Sequence, residues 1–167
     1  VNTNALAKMK PETLQRIHFI VGRNAFQRQK IAEARDFLGT VKEGNPAYAK
    51  AQYLLGLIAL GVGRPDSPPP KYEESATHFS NVRDSIGANN ENVRAQRLYD
   101  LATLGLARTY YERAYQLDDG DPRRTQLLDQ SVREYKIVPR FSDAWTESLF
   151  ERAWTHTVAN EYGKALG

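Results

Sequence analysis

Apolar residues recur three and four positions apart along most of the chain, as at Leu98, Leu101, Ala102 and Gly105. This is the spacing of one helix face, not the alternation of a half-buried strand. The one β-branched run, at 17–21, sits inside a longer helical pattern. Proline and glycine gather between the periodic segments. The pairs Asn45-Pro46 and Asp121-Pro122 each set a capping side chain before a proline. Such a pair suits a helix start, because Asn or Asp accepts from a free N–H and proline tolerates the first helical position. Ser142 is placed to open a further helix after Pro139. Segment 66–70, with Pro68, Pro69 and Pro70, reads as a loop, and so does Gly87-Ala88-Asn89-Asn90. The pattern predicts seven or eight helices, over roughly 11–26, 31–42, 46–60, 71–85, 91–117, 122–137, 142–159 and from 162 onward. The fold class expected is all-α.

These segments repeat in register. Gly22 and Gly56 lie 34 residues apart, each after a large apolar residue, Val21 or Leu55. The second helix of the first unit carries Ala34, Leu38 and Val41 and ends at Pro46; the second unit matches with Ser75, Phe79 and Val82. A third unit has Leu104-Gly105, then Ser131, Tyr135 and Val138. A fourth begins with Leu149 and Ala153 and runs on through Glu161-Tyr162-Gly163-Lys164-Ala165. Small residues at Gly22, Gly56, Gly105 and Ala153 let paired helices approach closely, with Leu38, Phe79 and Tyr135 filling the space beside them. One pair cannot bury its own face, so neighbours must stack.

On these residues the chain resembles tetratricopeptide repeat proteins over about 12–167. The segment 135–167, with Val138-Pro139, Ala153-Trp154 and Glu161-Tyr162-Gly163, is most similar to repeats of bacterial envelope and assembly proteins. The resemblance implies a right-handed superhelical solenoid of antiparallel helix pairs, about three and a half repeats long, over 11–167, with 1–10 as a tail or the end of a preceding repeat. It also implies a fragment of a longer array. Departures from the family pattern are serine for alanine at Ser75 and Ser131, Arg152 for a leucine, and added segments near 64–71 and 117–130.

In this family the first helices of successive pairs line a concave groove. The resemblance therefore assigns Arg16, Phe19, Arg23 and Phe26 to the groove from unit one, and Lys50, Tyr53, Leu57 and Leu60 from unit two. Unit three supplies Tyr99, Leu106 and Tyr110, and unit four Glu147, Phe150 and Trp154. An aromatic surface with a basic end at Arg16, Arg23 and Lys50 suits a polypeptide partner with apolar side chains. The clamp with which some family members hold a terminal carboxylate is not reproduced, since Phe19, Arg23, Tyr53 and Leu57 occupy its places.

Composition narrows the picture without redirecting it. The 167 residues are 41% apolar, enough for a core. No stretch approaches the roughly 18 uninterrupted apolar residues of a spanning helix, so membrane insertion is not expected. The first ten residues carry no long apolar run and no cleavage pattern, so no signal peptide is read there, and the initial Val is compatible with removal of an upstream segment. The resemblance favours the periplasm or cell envelope over the cytoplasm. There is no cysteine, hence no disulfide, thiolate metal site or cysteine nucleophile. The net charge of +3, from 23 basic and 20 acidic residues, is scattered. Nucleic-acid binding is the alternative reading: Arg94, Arg97, Arg108 and Arg113 share the long third-unit helix, diluted by Glu91, Asp100 and Glu112.

Catalytic and metal-binding patterns are weak. His18, His78 and His156 are far apart in sequence. Glu74 and His78 share a helix face and read as a surface hydrogen-bonded pair. Asp118-Asp119-Gly120-Asp121 lacks the alternate ligands and terminal Glu of a calcium loop, and reads as a turn and cap. Gly61-Val62-Gly63 leads into Arg64-Pro65 and makes no phosphate loop, and no serine nucleophile elbow is present. The function expected is a non-enzymatic scaffold for a protein or peptide partner, without cofactor or metal. A regulatory domain of a larger enzyme is a further alternative.

Overall fold

The structure is a computed structural model describing residues 9–61 and 69–166. Residues 1–8 of the expected tail and 62–68 of the proline-rich loop lie outside the described residues. Among those described there are eight helices and no strand. They are α1 (Pro11–Gln27), α2 (Ile31–Gly39), α3 (Tyr48–Leu60), α4 (Tyr72–Ile86), α5 (Val93–Tyr115), α6 (Pro122–Ile137), α7 (Trp145–Val158) and α8 (Tyr162–Ala165). Each helix packs on the next along the chain, as in successive helical hairpins. The odd-numbered helices also meet: α1 touches α3, and α3 touches α5.

Helix ends follow local chemistry. Asp121 caps α6 as expected, its side chain accepting from the Arg123 N–H at 2.9 Å with Pro122 as first helical residue. Two helix starts differ from the sequence expectation. α3 opens at Tyr48 and not at Pro46, because the Asn45 side chain closes a tight turn by accepting from the Ala47 N–H at 2.9 Å. α7 opens at Trp145 and not at Ser142, where the Ser142 hydroxyl accepts from the Ala144 N–H at 3.2 Å. Both helices are thus preceded by the same turn. In each, the aromatic residue's N–H bonds back to the turn residue's carbonyl, at 2.9 Å for Tyr48 and 3.0 Å for Trp145. In each, an alanine, Ala47 or Ala144, is buried just before the aromatic. Asn45-Pro46-Ala47-Tyr48 and Ser142-Asp143-Ala144-Trp145 are therefore a second repeat of the sequence, carried by geometry. At its other end α3 stops on Gly61, which takes φ +71, a left-handed conformation that glycine adopts without Cβ strain.

The small-residue positions explain how the hairpins close. A Cβ added to Gly22 would lie 2.8 Å from Leu38 Cγ, and one added to Gly56 would lie 2.8 Å from Phe79 Cε1. Both crossings pair a first helix with its own second helix. Gly105 is equally tight, but its Cβ would meet the Phe79 ring at 2.6 Å, so it faces the second helix of the preceding unit. Tyr135 instead packs in a cluster with Leu104 and Ala107. Leu55 of unit two, conversely, packs with Leu38 of unit one. The two Leu-Gly dipeptides are therefore used in opposite senses, and α5 is rotated relative to α3. Ala153, the fourth small residue of the register, is only half-buried.

Gly105→Ala tests this packing. Alanine gains helix propensity of about 1 kcal/mol over glycine. Overpacking against a fully buried ring costs about 1–3 kcal/mol. We expect a net loss of stability in urea denaturation, relieved when Phe79→Leu is combined with it.

Candidate functional site

Three first helices, α3, α5 and α7, together with Tyr135 of α6, wall a cavity of about 380 Å³. α3 contributes Tyr53, Leu57 and Leu60; α5 contributes Leu101, Leu104, Arg108, Tyr111 and Glu112; α7 contributes Glu147, Glu151 and Trp154. On α5 these positions follow helical spacing, so one face of a single helix supplies them all. A second cavity, of about 430 Å³, is lined by Phe19, Arg23 and Phe26 of α1, Lys50, Tyr53 and Leu54 of α3, and Leu98 of α5. Tyr53 lines both, so the two adjoin.

One cation organises the floor of the first cavity. The Arg108 Nε donates to Glu151 Oε2 at 2.9 Å, and its Nη2 donates to Glu151 Oε1 at 2.6 Å and also to Glu147. The Tyr135 hydroxyl donates to Glu151 Oε2 at 2.8 Å. Burial would by itself lower the Arg108 pKa. The hydrogen bonds and charge of Glu151, then of Glu147, outweigh it and hold the guanidinium above the ordinary arginine value. Burial raises the Tyr135 phenol, and the charge of Glu151 raises it further, so Tyr135 stays protonated as a donor. At the rim, Trp154 Nε1 donates to the Tyr111 hydroxyl at 2.9 Å, bridging α7 and α5. Trp154 is 53% exposed, an indole held in place yet open to solvent.

Glu112 is the exception. It makes no ion pair or hydrogen bond with another described side chain, and burial followed by repulsion from Glu151 raises its carboxyl above the ordinary value. Arg108, by contrast, is shared by two carboxylates.

No family model, no curated protein and no solved structure matches this chain. The site therefore stands on its geometry. The structure brings together Phe19, Arg23, Phe26, Lys50 and Tyr53 in one cavity, and Tyr53, Leu57, Leu60, Glu147 and Trp154 in the other. Other assigned residues fall elsewhere. Tyr99 and Leu106 are buried in the core, at 8% and 3% exposure. Tyr110 is half-buried between the Phe79 cluster and the Ala114 cluster. Phe150 is 70% exposed and lines neither cavity, and neither does Arg16. The unit-three residues are displaced because α5 is rotated: Leu101, Leu104, Arg108 and Tyr111 stand where the family register places Tyr99, Leu106 and Tyr110.

Of the four arginines on α5, Arg94 is exposed and in no ion pair among the described residues, and the other three are paired. Arg97 pairs with Asp143, Arg108 with Glu147 and Glu151, and Arg113 with Glu73. The Glu74–His78 pair is close, at 3.9 Å, with His78 Nδ1 also 2.7 Å from Gln52 Oε1 and Glu74 held by Lys71 at 3.0 Å. Asp121 is committed to its cap, and the hydrogen bonds from the Arg123 side chain and backbone bring its carboxyl down to about 2. Among the described residues no group of three or more His, Asp and Glu is placed to hold a metal ion, and no helix is long and apolar enough to cross a membrane.

Proposed function

We propose that the chain is a tetratricopeptide-type scaffold that binds a partner polypeptide along the face formed by α1, α3, α5 and α7. Its hairpins would continue as a right-handed superhelix of about three and a half repeats, working within a multiprotein assembly of the bacterial envelope. The observation that carries the reading is the pair of adjoining cavities that share Tyr53 and draw their walls from four successive first helices. Apolar and aromatic walls with a few oriented charges suit an extended or helical segment, whose anchoring side chains enter separate pockets. The carboxylate pairing of Arg97, Arg108 and Arg113 speaks for a protein partner and against a phosphate backbone, which needs free cations along one face.

The test is saturable binding of a partner polypeptide recovered with the full-length protein. Trp154→Ala should weaken it by about 2 kcal/mol, roughly 30-fold, because an exposed, pre-positioned indole is a typical energetic anchor. Phe141→Ala, at a side chain 98% exposed that lines neither groove cavity, serves as control and should change little. Equal binding by wild type and Trp154→Ala would remove the groove assignment.

A further inference from the structure

We propose that the cavity between α3, α5 and α7 is a subsite for one lysine or arginine side chain of the partner, its aliphatic stem against the leucines and its cationic head at Glu112. The inference rests on the reading of this face as a polypeptide groove, and names what one end of that groove selects.

Charge decides the occupant. Among the described residues the cavity is lined by one cation, Arg108, and three carboxylates, Glu112, Glu147 and Glu151, which leaves two negative charges in excess. Arg108 is already engaged by Glu147 and Glu151. Glu112 is the carboxylate left without a counter-charge among the described side chains, at the edge of a largely apolar space. Glu112 is open to solvent on one side, and partial burial with repulsion from the neighbouring Glu151 raises its carboxyl, so its ionised form gains from an arriving cation. The walls fit the rest of such a side chain. Leu57, Leu60 and Leu101 offer apolar surface for a methylene stem. Tyr53, Tyr111 and Trp154 offer ring faces to an ammonium or guanidinium.

The adjoining cavity has the opposite sign. Arg23 and Lys50 line it, and among the described residues no carboxylate does. The groove is thus polarised along its length, and a bound segment is oriented with its basic residue toward α7 and any acidic residue toward α1. A purely apolar anchor would use the leucines but leave the excess negative charge of Glu112 and its neighbours uncompensated.

The experiment is selection of a random dodecapeptide library displayed on phage against the immobilised protein. Enriched sequences should share a lysine or arginine flanked by apolar residues. Replacing that residue by norleucine in a synthetic copy should weaken binding roughly 10- to 150-fold, the range of a charge-assisted hydrogen bond. Glu112→Gln should erase most of the difference between the two peptides. Because its carboxyl is raised in the folded state, Glu112 favours the fold below its unfolded pKa and loses that contribution as pH rises through the folded one. Glu112→Gln is therefore expected to be no less stable than wild type at neutral pH. Enriched peptides without a basic residue, or a norleucine copy that binds equally well, would overturn the subsite while leaving polypeptide binding in place. Failure to enrich any peptide would overturn the groove reading and the subsite with it.

Discussion

Phe79→Ala is expected to destabilise the protein by about 3–5 kcal/mol, the upper range for truncating a core aromatic. The Phe79 side chain has no solvent exposure. Its ring stands between Gly56 of α3 and Gly105 of α5, so tightly that a Cβ on either glycine would lie under 3 Å from it. The Tyr53 ring lies 5.8 Å away, centroid to centroid, in a tilted arrangement. Loss of the phenyl group would open a void faced on two sides by glycine. Glycine has no side chain to swing inward, so relaxation is poor and the cavity cost stays high. The urea midpoint should fall sharply with the slope unchanged. A loss below about 1 kcal/mol would mean that α3, α4 and α5 do not nest on this ring. The groove should suffer with the core, since Tyr53 packs on Phe79 and lines both cavities.

Arg108→Met should cost about 1–3 kcal/mol at neutral pH. Breaking a fully buried ion pair by removing one partner costs about 3–5 kcal/mol. Arg108 is 36% exposed and Glu151 24%, so solvent screening reduces that figure. Methionine keeps most of the stem volume, which isolates the charge from the packing. Without the guanidinium, Glu112, Glu147 and Glu151 line one cavity with no cation among them. Removing one of those carboxylates as well, with Glu151→Gln, should relieve their repulsion and recover part of the deficit in urea denaturation. A double variant no more stable than Arg108→Met would show that Arg108 acts through packing alone.

Much of the architecture is legible in periodicity and punctuation. The eight segments expected between 11 and 167 correspond to α1–α8, and α6 has the bounds expected of it. Proline at the first helical position and glycine after the last account for that success, because both act through backbone geometry that depends little on tertiary context. The starts of α3 and α7 lie two or three residues later than expected, since Asn45 and Ser142 close a tight turn before the helix instead of capping it directly.

The cavity lining follows the positions the resemblance assigns on α3 and departs from them on α5. Tyr53, Leu57 and Leu60 on α3 all line the first cavity. On α5 the same register points to Tyr99 and Leu106, which are core. Gly105 sits against the Phe79 ring of α4, and Leu101, Arg108 and Glu112 line the cavity. A contact between residues 26 positions apart leaves no periodic trace. The 101, 104, 108, 111 spacing is visible as one helix face, but nothing local says which face looks outward. Glu147 and Glu151 carry a similar signal, a carboxylate pair four apart. Their meaning depends on Arg108 reaching them from another helix.

The most direct test of the account is amide chemical-shift mapping of the protein titrated with a bound polypeptide. We predict that the largest perturbations cluster at Tyr53, Leu57, Leu101, Tyr111 and Trp154, with the Trp154 indole N–H among the first to move. Perturbations centred instead on Val93 and Phe141, the exposed pair beside another cavity at the start of α5, would contradict it.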